Sequence, residues 1–205
     1  MKSLLINYIN KIKINFIIIT ILFCIGIVIG VFLINSSNDI QKNEINNHID
    51  NLLTNTKNSN EIDRVNLLML SIKNNILLIL IIWFLGCTVI GGPIIYLVIL
   101  YKGFSVGYTI SALVAVLGIK IGALVALASL LFQNIIYLPA LFIIAESGIE
   151  LYKGIYRRCV NLKAEVIRHT LIMFITAGIS VFSSLIEVYC STNIFLLLTN
   201  IIVTG

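Results

Sequence analysis

The chain has 205 residues, 59% of them hydrophobic and 11% charged, with a mean hydropathy of +1.05, a balance that excludes a water-soluble globular domain. The formal charge of +5 does not point to nucleic acid, because most basic residues stand in short tracts beside apolar runs, where they orient a protein in a bilayer. At roughly 20 apolar residues per helical crossing of a hydrocarbon core about 30 Å thick, the apolar runs supply about five spans. The expected fold class is therefore all-α, a polytopic helical membrane bundle forming a single membrane domain over 1–205.

The first span is expected over 14–34, preceded by Lys2, Lys11 and Lys13, which hold the N-terminus in the cytoplasm. This run is too long for a signal peptide and lacks a small-residue cleavage site, so it reads as a retained anchor. Residues 35–75 then form an Asn-rich extracytoplasmic loop in which Asp39, Glu44, Asp50, Glu61 and Asp63 offset Lys42, Lys57, Arg64 and Lys73. Within it Ile62, Val65, Met69, Ile72 and Ile76 recur at helical spacing, and Ile45, Ile49 and Leu52 mark an earlier short helix.

A second span over 76–101 contains Gly91, Gly92 and Pro93, which predict a kink or break in mid-membrane. Lys102 and Gly103 then mark the return to the cytoplasm, and the apolar stretch that follows is long enough for a hairpin of two spans, 104–119 and 121–145, divided by Lys120. Residues 146–169 carry Lys153, Arg157, Arg158, Lys163 and Arg168, the densest basic tract in the chain, and read as a cytoplasmic loop. A fifth span over 170–190 runs outward, giving an N-in, C-out topology. The apolar segment 194–203 is too short to cross and reads as re-entrant or interfacial.

Polar groups inside spans are costly unless paired, so each is a candidate for function as well as for packing. Gln133 and Asn134 fall near the middle of the fourth span, followed by Tyr137 and Pro139. The proline frees a carbonyl one turn earlier that Gln133 or Asn134 could satisfy; structural glue and a substrate or ion path both fit. Lys120 and Glu187 fall near the outer ends of the hairpin and of the fifth span and are expected to pair. Glu146 and Glu150 are one turn apart and read as helix salt-bridge partners of Lys153 and Arg157.

Cys24, Cys87, Cys159 and Cys190 are scattered without CxxC spacing and read as buried apolar cysteines, neither metal ligands nor a disulfide framework. His48 and His169 have no partners at ligand spacing. No aspartate or histidine lies well inside an expected span, and no HExxH, nucleophile elbow, phosphate loop or dinucleotide fingerprint occurs. The expectation is a protein that is not an enzyme and that needs no metal or cofactor. Gly26 and Gly30, Gly103 and Gly107, and Gly118 and Gly122 each have the GxxxG spacing that lets helices approach closely, a pattern that apolar sequence also produces by chance.

The run Lys102-Gly103-Phe104-Ser105-Val106-Gly107-Tyr108-Thr109, then Gln133-Asn134 with Tyr137-Leu138-Pro139-Ala140, then Glu187 late in the final span, resembles the stage II sporulation protein M family. The family often has proline before the Gln-Asn pair, where this chain has Phe132. The resemblance implies a membrane protein of an endospore-forming bacterium, located in the mother cell septal and engulfing membrane. It would be a non-enzymatic scaffold that anchors and localises a peptidoglycan-degrading complex with stage II sporulation proteins D and P. Partner contacts are then expected on 35–75, the C-terminal segment or the GxxxG faces, with self-association and the lipid bilayer as further partners and no nucleic acid. The rival reading is a transporter or permease membrane subunit, motivated by the break in the second span and the polar Gln133-Asn134 centre.

Overall fold

The computed structural model describes residues 2–36, 64–157 and 162–188. The expected short helix near Ile45, the interfacial segment 194–203, and His48, Cys159 and Cys190 lie outside the described residues. Four helices account for the rest: α1 (Lys2–Asn35), α2 (Arg64–Gly86), α3 (Gly91–Tyr156) and α4 (Leu162–Ile186). Together they hold five stretches long and apolar enough to cross a membrane: Ile14–Asn35, Leu68–Gly86, Gly91–Ala115, Asn134–Tyr156 and Leu162–Ile186.

The expected number of spans is met, but four of the five are displaced from their expected bounds. The second span ends at Gly86, not at 101, and a short turn replaces the kink expected at the two glycines and the proline. In that turn the amides of Cys87 and Thr88 donate to Phe84 and Leu85 at 3.1 and 3.0 Å, and Gly91 donates to Thr88 at 3.3 Å. The chain folds back so tightly that a Cβ on Gly91 would strike the Leu85 carbonyl. Pro93 then falls in the first turn of α3, where an N–H has no intrahelical acceptor and its loss is free. The Gly-Gly-Pro sequence is therefore a helix start. It follows that Lys102 is interior to the third span and does not mark a return to water.

At 66 residues a straight α3 would be about 100 Å long, yet it is a hairpin. Gly118, with φ 79° and ψ 163°, is where its backbone leaves helical values, and Gly122 returns against Leu113 and Val114. The reversal falls two residues before Lys120, because the positive φ needs a residue without a Cβ. The helix passes through Pro139 without a break.

Residues 146–169 are mostly helical rather than a loop: α3 continues to Tyr156 and α4 begins at Leu162. Likewise α2 begins at Arg64, so the expected 35–75 loop is shorter and the periodic run from Val65 to Ile76 is the start of a span. In both places charged and amide side chains that suggest solvent find partners between helices.

Contacts fix the helix directions. Gly26 and Gly30 of α1 lie against Gly103 and Gly107 of α3, so these segments run parallel. Ser71 and Trp83 of α2 meet Ser184 and Thr170 of α4, so this pair is antiparallel. One end of the bundle thus gathers the start of α1, the 87–90 turn, Arg157 and the start of α4; the other gathers Asn35, Gly118 and Val188. We call them the basic end and the hairpin end. The described chain begins at the first and finishes at the second, the parity that an N-in, C-out arrangement requires.

The outer surface of the bundle is apolar, and α4 turns its polar face inward. Ile14, Phe32, Leu97, Phe174 and Phe182 are exposed, whereas the buried residues of α4 are His169, Thr176, Ser180, Ser183 and Ser184. Water-soluble helices bury the opposite face; lipid is the solvent that makes this one stable. The apolar core, with Ile19, Phe23, Ile79, Ile95 and Leu141, lies between α1, α2 and both arms of α3. There Phe142 packs edge-on to Phe23 with ring centroids 5.4 Å apart.

Candidate functional site

The GxxxG pairs of α1 and α3 form one seam. A Cβ on Gly26 would lie 2.8 Å from the Phe104 amide, and one on Gly30 2.7 Å from that of Tyr108. A Cβ on Gly103 or Gly107 would strike the Phe23 or Ile27 carbonyl. Backbone meets backbone along two turns, an approach that small residues alone permit. The third pair is different in kind: Gly118 makes the reversal and Gly122 closes it.

This seam sets the depth of Lys102. Its neighbour Gly103 rests on Phe23, near the midpoint of the Ile14–Asn35 span, so Lys102 stands close to the middle of the membrane. An ionisable group there needs a partner. The partner the structure shows is the ring of Tyr137, with the ammonium 5.2 Å from the centroid.

Around that pair the bundle builds a polar cluster from α2, both arms of α3, and α4. Ser71 donates to the Glu187 carboxylate. The hydroxyls of Ser71 and Ser184 are 3.1 Å apart, and Asn75 Nδ2 donates to Ser184 Oγ at 3.0 Å. The Tyr137 hydroxyl, wholly buried, donates to the Asn75 carbonyl at 3.3 Å. Glu187 is able to reach inward because the last turn of α4 widens to a π turn at Glu187 and Val188, a distortion often found at functional positions.

A second polar network closes the basic end. Arg168 pairs with Glu150 at 2.7 Å, and Lys153 donates to Asn15 Oδ1 at 2.7 Å. The fully buried His169 ring bonds Ser147 at 3.0 Å and the Trp83 carbonyl at 3.3 Å. Glu150, expected to pair with Lys153 or Arg157 along its own helix, bridges to Arg168 of α4. Arg168 is 39% exposed, so this bridge adds less to stability than its short distance suggests.

Lys102 and Tyr137 are therefore brought together, while Gly103 and Gly107 hold the helix that carries Lys102. Lys120 is exposed at the hairpin end, and among the described residues Glu187 bonds Ser71 and forms no ion pair with it; the third span begins at Gly91, which places Lys102 in mid-span. Asn134 is buried, but its Oδ1 finds no donor and its amide makes no bond to the carbonyl that Pro139 frees. Gln133 sits beside it on the helix. Cys24 and Cys87 are exposed and unpaired, not buried as expected, Cys24 on the lipid side of α1 and Cys87 in the turn.

Sequence reasoning missed Ser71, Asn75 and Ser184. Ser71 and Asn75 are spaced one turn apart, and His169, Thr176, Ser180, Ser183 and Ser184 fall on one helical face, signals that a periodicity count of polar rather than apolar residues reveals.

Among the described residues no group of three or more His, Cys, Asp or Glu could hold a metal ion. Five spans, an apolar outer surface and a polar face of α4 turned inward define a polytopic α-helical membrane protein. The match extends further than class: residues 19–192 match the stage II sporulation protein M family, and the chain belongs to it. The search of curated proteins and that of solved structures found no match.

Proposed function

We propose that the protein is a membrane scaffold that anchors and localises a peptidoglycan-degrading complex during forespore engulfment, with stage II sporulation proteins D and P as partners. The observation that carries this reading is the family membership over residues 19–192, which takes in all five spans but for the first residues of α1. The seam of backbone contacts agrees with it, since a scaffold needs a fixed bundle on which to present surfaces. Wall hydrolysis would belong to the partners, and the site of action would be the mother cell septal and engulfing membrane.

Pull-down of tagged protein from detergent-solubilised sporulating cells tests the reading, with an unrelated tagged membrane protein as control. Specific recovery of D or P is the expected outcome; recovery of neither overturns it.

One observation favours a second reading, a transporter or permease subunit: the cluster of Ser71, Asn75, Ser184 and Glu187 between α2 and α4, polar groups of the kind that line solute paths. Thiol labelling of an Asn134→Cys variant separates the two. A water-soluble maleimide reacts there if an aqueous path reaches the cluster and fails to react in a closed bundle.

A further inference from the structure

We propose that Ser71, Asn75, Ser184 and Glu187 form a binding site for a sodium ion at the hairpin end, between α2 and α4. Polar side chains of both helices converge there. The Ser71 and Ser184 hydroxyls are 3.1 Å apart, and the Asn75 amide lies 3.0 Å from the second and 3.4 Å from the first. Ser71 in turn donates to the Glu187 carboxylate. Around an ion held at about 2.3–2.6 Å, the oxygen distance of calcium and of the similarly sized sodium, separations of this order belong to neighbouring ligands of one shell. Potassium is larger and would force them apart. A half-turn of the Asn75 amide exchanges nitrogen for oxygen at the same point, so all four residues are able to offer oxygen.

Charge is what calls for an ion. Among the described residues Glu187 accepts from Ser71 alone and has no ion-pair partner. An ionised carboxylate has about four acceptor positions, and its charge is costly in a low-dielectric setting unless compensated. One carboxylate among neutral oxygens balances a single positive charge; the second charge of calcium or magnesium would be left without a partner. Ser184 also differs from its neighbours along α4. Thr176 and Ser180 donate to carbonyls of α4 itself at 3.0 and 2.8 Å, whereas Ser184 Oγ faces Ser71 and Asn75 of α2. Asn75 and Ser184 are buried, with the Tyr137 hydroxyl behind them on the Asn75 carbonyl, while Ser71 and Glu187 are half-buried. The site is therefore closed toward the bundle interior and open toward the hairpin end, from which an ion would enter. Once bound, the ion would clamp to α2 the end of α4, where the helix widens to a π turn. A fixed scaffold and a transporter subunit are both served by such a clamp, so the proposal rests on neither reading.

Hydrogen exchange of the full chain in lipid nanodiscs, with sodium chloride replaced by choline chloride at constant ionic strength, tests this. A ligand that binds the closed form slows opening by the factor 1 + [Na+]/Kd, so peptides over 68–76 and 180–188 should exchange about a hundred-fold more slowly at sodium near 100 Kd than in choline. Those over the α1–α3 seam should not change. Glu187→Gln should exchange alike in sodium and choline, and Ser184→Ala should move the sodium midpoint to higher concentration. A wild type that exchanges alike in both salts overturns the proposal without reliance on any variant. Equal protection by potassium, or protection by calcium at lower concentration than sodium, overturns the choice of ion, and a sodium effect that survives in Glu187→Gln overturns the assignment to this carboxylate.

Discussion

The α1–α3 seam and the polar cluster of α2, α3 and α4 hold neighbouring parts of one bundle by opposite means. At the seam, glycines remove side chains and let two backbones touch, so stability comes from close van der Waals approach. In the cluster, side chains from four helical segments reach into a space that apolar residues could have filled, and cohesion depends on charge and hydroxyl hydrogens. The first kind of contact has one arrangement and tolerates nothing added. The second depends on every member being present, so a single bundle combines a seam closed by shape with a cluster closed by hydrogen bonds.

The largest effect that separates them is expected at the seam. Gly103→Val would drive a branched side chain into the Phe23 carbonyl, where backbone cannot give way, and the variant should fail to accumulate in membranes as a monodisperse species in detergent. Next come Lys102 and Glu187: Lys102→Met removes the ammonium from the Tyr137 ring and Glu187→Gln the carboxylate that Ser71 bonds, and each should destabilise by about 1–2 kcal/mol, read as steric-trap or denaturant unfolding. Two seam substitutions, for their part, should never rescue one another. Ser184→Ala removes one hydroxyl of the cluster and should cost about 1 kcal/mol by the same measurement. Smallest of all is Gly178→Ala on the lipid-facing side of α4, where nothing lies within 4 Å of the added methyl; stability should be unchanged or raised by up to about 1 kcal/mol. A large loss at Gly178 would show that its face is a packing surface after all.

Much of this was legible in the residues, but unevenly. The number of spans, the hairpin and the glycine pairs follow from apolar length and from spacing, both local properties. Span boundaries do not, because Asn75, Glu150 and Lys153 look like loop residues until their partners on other helices are known. Pro93 illustrates the same limit: proline in an apolar run signals a break, yet whether that break is a kink or a new helix start depends on Leu85 folding back over Gly91. For the same reason Lys102 reads as a membrane boundary until the third span is moved to begin at Gly91, which places it in mid-span.

The parallel seam also bears on how the protein is made. Gly26 and Gly103 are separated by nearly 80 residues, and at a synthesis rate of about 5–20 residues per second the ribosome needs roughly 4–16 s to deliver the second after the first. For that interval α1 rests in the bilayer with a bare glycine groove and no mate. Nascent α1 is thus the point at which an insertase or a neighbouring helix could intervene, and the order of translation, not the final contact alone, decides whether the groove receives its own third span.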